Sequence, residues 1–256
     1  MTNIDISKMR NIFDKFDKNL DINTLREKLY SVSKSWAKQL PRKYNLSGLK
    51  FDKDINRYQI EHNNINYECL FLPSPVRKLY ISLCGGGRSG KNYPVFLRWK
   101  YHNILNGNYI CIDDPMYSEE INKSYSEKTN GVLWYYGTND ISYLQNMVPI
   151  IKRIMELLKV SPEDTVLFGS SGGGTAAIYL ANILDGTTAF ALNPQYELCS
   201  WKPQITKYFN DILGIDLTKK DIYGRNYIDI TNKKSNFFLV ENIASPVDYN
   251  QCTNFF

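Results

Sequence analysis

Residues 166–177 read VLFGSSGGGTAA, an apolar run followed by a glycine- and serine-rich turn and then by small residues. Within this stretch Gly169, Ser171 and Gly173 match the pattern G-x-S-x-G. A serine at the apex of a sharp strand-to-helix turn has a strained backbone, and the residues two positions away must lack a Cβ atom. The pattern therefore predicts a nucleophile elbow with Ser171 at its apex. The alternative is a turn whose glycines serve only close packing of helix on sheet.

The helix predicted after this elbow would assist the chemistry of Ser171. Its free N–H groups and its positive end point toward the serine oxygen. The N–H of Gly172 is placed to donate to an oxyanion that forms on the substrate. A serine hydroxyl is a poor nucleophile on its own, so the prediction also requires a base.

A second glycine cluster, residues 84–92, reads CGGGRSGKN and follows a predicted strand at Leu79–Leu83. In one interpretation this is an oxyanion loop, in which the backbone of Gly86 and Gly87 supplies the second N–H donor. Arg88 would then hold an anionic or sugar substituent of the substrate. In a plainer interpretation the cluster only reverses the chain.

The same cluster also fits a phosphate-binding loop, because Gly85 to Lys91 match G-x-x-x-x-G-K. The strand that ends in Asp113 and Asp114 would supply the metal-binding partner of such a loop. Three features count against this nucleotide-binding alternative. Asn92 stands where Ser or Thr would ligate magnesium, and Pro94 places the predicted helix start after Lys91 rather than before it. The strand before the loop also follows a β-meander instead of opening a βαβ core.

From residue 48 onward the sequence alternates between strand-like and helix-like periodicity. The predicted strands are 49–52, 57–61, 67–72, Leu79–Leu83, 109–113, 165–168, Thr188–Leu192 and 237–241, with a hairpin turn at Asn63 and Asn64. The predicted helices are 94–105, about 140–159, 172–184 and 201–213. A meander followed by strand–helix–strand units predicts an α/β fold, a mixed, mainly parallel sheet with helices on both faces. Residues 1–43 are expected to form a helical appendage, and residues 44–256 a single domain.

The net charge of +5 is concentrated in the predicted appendage. Residues 1–43 hold ten Lys and Arg against five Asp and Glu, whereas the remaining residues are neutral overall. Such a basic segment can contact an anionic membrane surface, a polyanionic glycan or another protein. The alternative is a pair of amphipathic helices with solvated lysine faces. No basic–aromatic motif or zinc-knuckle spacing indicates a nucleic-acid partner.

Composition excludes several other classes of protein. With 43% hydrophobic and 22% charged residues the chain is of the ordinary globular type, and no run approaches the roughly 18 apolar residues of a transmembrane helix. The first residues show no secretory signal. Five scattered cysteines without a CxxC pair are typical of reduced thiols, so a cytoplasmic location is expected. Two histidines exclude a His-rich metal site, and no cofactor is predicted.

With these motifs in this order, about residues 48–250 resemble the α/β-hydrolase fold. Three stretches are also similar to hydrolase-like proteins of bacterial capsule and glycan-modification loci, including the acyltransferases of accessory secretion systems. They are the strand end at 113–115, residues 133–138 (LWYYGT), and the elbow together with the later sequence Asn193-Pro194-Gln195. In such proteins the serine attacks an ester, and the acyl group passes to water or to a sugar hydroxyl.

This resemblance implies a serine, an acid and a histidine in that order along the chain. Asp248 is the expected acid, because it lies just past the last predicted strand, 237–241; the alternative is a carboxylate that only caps or shapes a turn. Glu241, at the end of that strand, is a weaker candidate for the acid. No histidine follows Ser171. Three explanations stay open: the chain stops before the segment that carries the base, the base is His102 from upstream, or the protein keeps the fold and binds without turnover.

Three further residues are candidates for substrate binding. Trp134, in an aromatic run, is either a platform that stacks on a sugar ring or an ordinary core residue. Asn193 and Gln195 follow a predicted strand at the edge where ligands bind in open α/β sheets. Their amides would hydrogen-bond a carbohydrate or shape a turn.

The function favoured by these residues is serine-dependent hydrolysis of an acyl ester, or O-acyl transfer, on a glycan or glycoconjugate. The expected substrate is a carbohydrate or an acylated small molecule. Two alternatives remain. One is a catalytically inactive hydrolase-fold protein that binds a partner or glycan in polysaccharide biosynthesis, and the other is a nucleotide-binding protein that uses the loop of residues 85–91.

Overall fold

The computed structural model describes residues 36, 39–86, 93–118, 132–242 and 244–255. Their strands form one sheet and are β1 Arg42–Asn45, β2 Asn56–His62, β3 Ile65–Leu72, β4 Leu79–Leu83, β5 Asn108–Ile112, β6 Thr165–Ser170, β7 Thr188–Leu192 and β8 Asn236–Val240. The strand order is β1-β2-β3-β5-β4-β6-β7-β8. β3 is antiparallel to both of its neighbours, and all other ladders are parallel. The prediction of a mixed, mainly parallel sheet is confirmed.

The α-helices of the described residues are α1 Tyr143–Leu158, α2 Gly172–Ile183, α3 Leu198–Trp201, α4 Pro203–Asp211 and α5 Pro246–Phe255. α1 begins at Ser142, whose hydroxyl accepts a hydrogen bond from the Gln145 N–H and so caps the first turn. α2 is buried along almost its whole length, as expected for a helix without a polar face. Within these described ranges, no helix combines the length and apolar character needed to cross a bilayer.

Apolar side chains cover both faces of the sheet. On one face α1 and α2 pack on strand residues such as Ile81 and Leu167, which have no exposed surface. On the other face Phe168 and Tyr109 pack beneath Phe96 and Trp99, which belong to the segment between β4 and β5. The core is therefore continuous through the central strands β5, β4 and β6, and the ends of these strands carry the candidate site.

The last residues of the predicted appendage, residues 1–43, belong to the sheet. β1 begins at Arg42 and supplies one edge of the sheet. Residues 1–35 lie outside the described part of the chain. Trp36 lies within it and packs edge-on against Phe96 and Trp99, with ring centroids 5.6 and 5.3 Å away. The end of the appendage is thus attached to the face of the sheet opposite α2.

The first part of the sheet differs from the predicted meander. Residues 49–52 form no strand, and β1 instead pairs in parallel with β2. The Asn45 side chain accepts a hydrogen bond from the Gly48 N–H (2.8 Å), which turns the chain directly after β1. Leu49 and Phe51 then pack into the core without strand pairing. The alternation of apolar and polar residues at 49–52 reflects burial of these two side chains alone. An apolar residue at every second position does not distinguish such a segment from a strand.

The hairpin of the predicted meander is confirmed. β2 and β3 pair antiparallel around Asn63 and Asn64, whose φ angles are 51° and 61°. Two consecutive left-handed residues are typical of the short hairpin turn whose twist matches that of the flanking strands.

Two predicted helices are shorter than expected. The range 94–105 contains only a 3-10 helix, Trp99–Asn103, because Arg98 before it is left-handed (φ 59°) and cannot continue a helix backward. The range 201–213 is divided at Lys202, which is extended (φ −147°, ψ 119°) because it precedes a proline. α3 ends before Lys202 and α4 begins after it.

A buried arginine fixes the loop that leads into α1. Arg225, 2% exposed, donates from Nε to Asp221 Oδ2 and from Nη2 to Asp221 Oδ1, both at 2.7 Å. Its Nη1 donates to the carbonyl oxygens of Tyr136 (2.6 Å) and Thr138 (2.8 Å). Burial opposes the ionisation of Asp221, but the hydrogen bonds from Arg225 outweigh it and hold the pKa of Asp221 below its usual value. This network positions the loop that carries Trp134.

The closest approach of helix to sheet occurs at Gly173, in the first turn of α2. A Cβ atom at Gly173 would lie 2.2 Å from the carbonyl oxygen of Leu83 at the end of β4. At the next position, Gly174, a Cβ atom would lie 3.3 Å from Gly169 O and 3.4 Å from the Ala191 side chain, a tight contact that small shifts relieve. Only at Gly173 would a backbone atom lie so close to the added Cβ atom that the backbone itself must shift.

We expect Gly173→Ala to lower the free energy of unfolding by about 1–3 kcal/mol or more, because the added methyl group must displace the end of β4. The matched variant Gly174→Ala places the same methyl group on the same helix. Its higher helix propensity, about 1 kcal/mol, offsets the tighter contact. Chemical denaturation of both variants measures the difference, and equal stabilities would contradict this packing.

Candidate active site

Ser171 occupies the junction between β6 and α2 with φ 52° and ψ −130°. A non-glycine residue at positive φ costs about 1–3 kcal/mol and persists only where its surroundings enforce it. Here the Ser171 N–H donates to the Leu192 carbonyl oxygen (2.8 Å), and the Ser171 carbonyl oxygen accepts from the Thr175 N–H (3.0 Å). The serine is therefore held at a sharp turn at the C-terminal edge of the sheet, with its side chain partly exposed.

The glycine loop after β4 lies against this turn. A Cβ atom at Gly85 would lie 2.4 Å from Ser170 O, 3.5 Å from Ser171 Cβ and 3.6 Å from the Gly172 N atom. The Gly85 backbone thus runs beside the first N–H of α2, one of the N–H groups that has no partner within its own helix. Gly86 follows and is half-buried. This arrangement puts the backbone of the glycine loop and the first N–H of α2 next to the serine.

The remaining residues assigned to the loop fall outside the described part of the chain. These are Gly87 as an oxyanion donor, Arg88 as a substrate-binding residue, and Lys91 of the phosphate-binding alternative.

Gln195 accepts the hydrogen bond of the candidate nucleophile. Ser171 Oγ donates to Gln195 Oε1 at 3.3 Å, and the same oxygen accepts from Trp134 Nε1 at 2.9 Å. Gln195 is 1% exposed, and its N–H donates to Thr175 Oγ1 (2.8 Å) while its Nε2 donates to Asn193 O (3.0 Å). Both polar atoms of this side-chain amide, Oε1 and Nε2, have partners within the protein. Gln195 therefore contacts Ser171 itself and does not present its amide to a carbohydrate.

Trp134 is a core residue in this structure. It is 1% exposed, its φ is 55°, and its ring packs against Trp201 and Phe209 with centroids 6.0 and 5.6 Å away. The ring face is therefore not open to stack on a sugar. Trp134 instead supports the elbow, because a Cβ atom at Gly172 would lie 3.2 Å from its Cδ1 atom.

Asn193 joins the ends of β7 and β8. Its N–H donates to the Val240 carbonyl oxygen (2.8 Å), and its Oδ1 accepts from the Asn242 N–H (2.7 Å). The side-chain oxygen that was a candidate for binding carbohydrate is used within the protein. Asn193 has φ 45°, which an asparagine tolerates better than most residues do.

Two carboxylates follow β8, and they differ in position. Glu241 comes directly after the strand, and its Oε1 accepts from the Tyr196 hydroxyl at 2.8 Å. Glu241 Oε2 is shielded from solvent and has no hydrogen-bond donor among the described residues. Asp248 lies in the first turn of α5 and not in a loop, and the Ser245 hydroxyl accepts from its N–H at 3.5 Å.

Burial raises the pKa of Glu241, the hydrogen bond from Tyr196 opposes this, and the nearby charge of Asp248 raises it further. The two carboxylates are thus close enough to influence each other. Glu241 is the one with an unused, buried oxygen.

The structure does not bring His102 and Ser171 together. His102 Nε2 lies 3.2 Å from the carbonyl oxygen of Pro73. Pro73 follows Leu72, which pairs with Tyr109 at the beginning of β5, whereas Ser171 follows the end of β6. A parallel strand of this length spans about 16 Å. The two side chains therefore lie at opposite ends of the parallel strands, His102 near the N-terminal ends and Ser171 at the C-terminal ends.

His62 is also remote from the elbow. It is the last residue of β2, four strands away from β6, which corresponds to about 19 Å at the usual strand spacing. Its Nε2 lies 3.4 Å from the Asn63 side-chain nitrogen. The sequence contains two histidines, and neither is positioned to take a proton from Ser171.

The paired acids at the end of β5 have structural roles. Asp113 accepts the Val95 N–H at Oδ2 (2.5 Å), and Asp114 accepts the Tyr135 N–H at Oδ2 (2.8 Å). Both are fully buried. In the described ranges, no cluster of three or more histidine, cysteine or acidic residues could hold a metal ion.

Arg98 lies next to the elbow although no sequence pattern singles it out. Its Nη2 donates to the Ser170 hydroxyl, directly before the candidate nucleophile. Its Nη1 is buried and has no acceptor among the described residues. Arg98 has a left-handed backbone (φ 59°), and neither this conformation nor the contact with Ser170 is visible in the residue types.

No protein-family model and no curated protein matches the sequence. Solved structures of similar architecture do exist. The Gap123 glycosylation-associated protein complex of Streptococcus agalactiae aligns with a TM-score of 0.52 and 16% identity, over 72% of this chain but only 35% of that one. The capsule O-acetyltransferase of Neisseria meningitidis serogroup A aligns with 0.53 and 20% identity, over 76% and 80%. Dipeptidyl peptidase 4 of Porphyromonas gingivalis aligns with 0.55 and 13% identity, over 78% and 29%.

This chain has the α/β-hydrolase fold. The expected fold resemblance is confirmed, and at these identities the comparison extends to the fold alone. In this fold the triad residues follow the chain order serine, acid, histidine. Glu241 and Asp248 both come after Ser171 in that order, whereas His62 and His102 both precede it.

We expect the Glu241 carboxylate to make stability depend on pH. Because the folded state holds its proton more tightly than the unfolded chain does, Glu241 favours folding at low pH, and this contribution is lost as pH rises above the ordinary value of 4.5. Unfolding curves of wild type and Glu241→Gln between pH 4 and 7 measure it. The wild type should lose stability over this range relative to the variant, and parallel pH profiles would contradict the raised pKa.

Proposed function

We propose that this protein hydrolyses acyl esters or transfers acyl groups to hydroxyls, with Ser171 as the nucleophile. The observation that carries the proposal is the backbone of Ser171, strained at φ 52° between β6 and α2 with the Gly85 backbone against it. Strain of this kind is retained where it serves a function. It exposes the hydroxyl at the N-terminus of a buried helix, where developing negative charge is stabilised.

The proposed reaction follows from these neighbours. Ser171 Oγ bonds to the acyl carbon and its proton passes to a base, while the carbonyl oxygen becomes an oxyanion that accepts from the Gly172 N–H and the N–H groups of Gly86 and Gly87. Collapse of this intermediate breaks the bond from the acyl carbon to the leaving oxygen or sulfur, which takes the proton from the base and departs as the alcohol or thiol, leaving an acyl-serine. Water or a sugar hydroxyl then attacks the acyl carbon and gives its proton to the base. The base returns that proton to Ser171 Oγ as the carboxylic acid or the new ester is released.

The base in this proposal is an imidazole from outside the described residues, because His62 and His102 both lie too far from Ser171. Gln195 Oε1, the present partner of Ser171, is an amide oxygen and takes up no proton at neutral pH. β6 and β8 are separated by one strand, so Ser171 and Glu241 lie at strand ends about 10 Å apart. An imidazole held between them would donate to Glu241 Oε2 and accept from Ser171 Oγ. We therefore favour Glu241 over Asp248 as the acid.

A glycan or glycoconjugate is the proposed acceptor. Support comes from two structures of similar fold, one named for capsule O-acetylation and one for glycosylation. The O-acetyltransferase was also solved with CoA, which makes an acyl thioester a reasonable donor to test. The basic residues of 1–43 would hold a polyanionic acceptor or a partner protein near the domain.

A fluorophosphonate probe tests the nucleophile. We expect wild type to be labelled in the presence of imidazole and Ser171→Ala to lose all labelling. Ser170→Ala is the matched control, because that hydroxyl accepts from Arg98 and is not at the apex of the elbow. His102→Gln should also be labelled normally. Labelling of Ser171→Ala equal to wild type would refute the assignment.

Added imidazole tests the acid. Wild type should hydrolyse 4-nitrophenyl acetate faster with rising imidazole, above the rate given by Ser171→Ala under the same conditions. Glu241→Gln should lose this stimulation, whereas Asp248→Asn should keep most of it. The opposite result would assign the acid to Asp248. Circular dichroism of each variant verifies that the fold is intact.

One observation favours a second candidate function, a hydrolase-fold protein that binds a glycan or a partner enzyme without turnover. The Ser171 hydroxyl donates to an amide oxygen, and both histidines lie far from it. Absence of probe labelling in wild type, with or without imidazole, would support this candidate over the enzyme.

A further inference from the structure

One buried glutamine joins α5 to the segment that follows β7. Gln251 is 5% exposed, and its Oε1 accepts from the N–H groups of Tyr196 (2.8 Å) and Glu197 (3.0 Å). Its Nε2 donates to the Glu197 carbonyl oxygen (3.0 Å) and to Ser200 Oγ (2.7 Å). A side-chain amide has two acceptor sites and two N–H donors, and all four are used here. A buried polar group that is satisfied in this way fixes the relative position of the two segments that it joins.

Gln251 is the main buried contact of α5. Of residues 246–253 it alone is buried, whereas Asp248 and Cys252 are half-buried and the others are exposed. These three residues are spaced three and four positions apart, so they lie on one face of the helix. The same face lies near Glu241, because Asp248 and Cys252 both interact electrostatically with that carboxylate. Over these residues the helix therefore docks through a hydrogen-bonding amide and not through an apolar stripe.

The segment held by Gln251 contacts both the candidate nucleophile and the candidate acid. Gln195 Oε1 accepts from Ser171 Oγ (3.3 Å), and the hydroxyl of the next residue, Tyr196, donates to Glu241 Oε1 (2.8 Å). Burial and the Glu241 carboxylate both raise the pKa of Tyr196, so this hydroxyl keeps its proton and acts as the donor. A displacement of the Tyr196 backbone would therefore move the donor that orients the Glu241 carboxylate.

We propose that Gln251 is a positioning residue for Glu241: by holding the Tyr196 N–H, it places the Tyr196 hydroxyl on Glu241 Oε1 and leaves Oε2 to face the base. The role of Gln251 in catalysis rests on the proposed function, whereas the positioning of the carboxylate does not. The segment is also paired on its other side, where the Ile228 N–H donates to the Tyr196 carbonyl oxygen (2.7 Å). We therefore expect the segment to stay folded when Gln251 is replaced.

The pKa of Glu241 measures whether the Tyr196 hydroxyl is in place. The hydrogen bond from Tyr196 favours the charged carboxylate, so Tyr196→Phe should raise the pKa of Glu241 further above its ordinary value. Gln251→Met keeps the length of the side chain and removes the four hydrogen bonds of the amide. In that background the hydroxyl is no longer placed on Glu241, so the rise caused by Tyr196→Phe should be largely lost. NMR titration of the side-chain carboxyl carbon gives the pKa, and the signal is assigned by its absence in Glu241→Gln.

Ser200→Ala is the matched control, because it removes one partner of the same amide and keeps both bonds to backbone N–H groups. Tyr196→Phe should raise the pKa of Glu241 as much in Ser200→Ala as in wild type. Gln251→Glu keeps an acceptor for the Tyr196 N–H and should retain the rise, which keeps the test available if circular dichroism shows that Gln251→Met is unfolded. The positioning is overturned if the rise is equal in wild type and folded Gln251→Met, or if it is lost in Gln251→Glu or Ser200→Ala.

Hydrolysis of 4-nitrophenyl acetate with added imidazole connects the positioning to the proposed reaction. Gln251→Met should lower the stimulation by imidazole about ten- to a hundredfold, because a small displacement of a catalytic group is sufficient for such a loss. In the Glu241→Gln background, Gln251→Met should have no further effect, since the two changes act through one group. A wild type without any stimulation would contradict the proposed function and would leave the pKa result, and with it the positioning of Glu241, standing.

Discussion

Contact between backbones at the ends of β4 and β6 is the constraint on which the site depends. Leu83 O faces Gly173 and Ser170 O faces Gly85, at positions where a Cβ atom would lie 2.2 and 2.4 Å away. Side chains at these two glycines would separate the strand end from the helix. Their absence allows α2 to begin directly over the sheet, which places its unpaired N–H groups beside the glycine loop. The strain at Ser171 is offset by the burial of most of α2 that this contact permits.

The parts of the fold that sequence reasoning predicts are those decided by neighbours in the chain. Strands β4 to β7 are recognisable because central parallel strands are buried on both faces and read as apolar runs. β8, at the edge of the sheet, is recognisable from its apolar run alone. The turn at Asn63 and Asn64 and the elbow at Ser171 are recognisable because positive φ angles restrict the residue types that can occupy them. These local constraints are sufficient for the fold class and for the candidate nucleophile.

The parts that differ are decided by residues distant in sequence. Leu49 and Phe51 alternate like a strand but pack as side chains only, because a turn stabilised by Asn45 reverses the chain before them. Trp134 is covered by helices α3 and α4, which follow it by more than sixty residues. His102 lies near the N-terminal ends of the parallel strands because it contacts Pro73, and Pro73 is placed there by the antiparallel pairing of β3 with β5. Periodicity carries none of this information, so the position of the elbow is predictable from the sequence whereas the side chains around it are not.

Gln195 sets the resting state of the elbow. Its Oε1 accepts from Trp134 at 2.9 Å and from Ser171 at 3.3 Å, and the shorter bond fixes the amide in place. A base that approaches Ser171 must replace only the longer of the two, a neutral hydrogen bond that contributes about 1 kcal/mol. The side-chain amide need not move, because Trp134 Nε1 and the Asn193 carbonyl oxygen continue to hold it. The hydroxyl is therefore oriented and protonated at rest, and its release to a base would cost little compared with the barrier of the proposed acyl transfer.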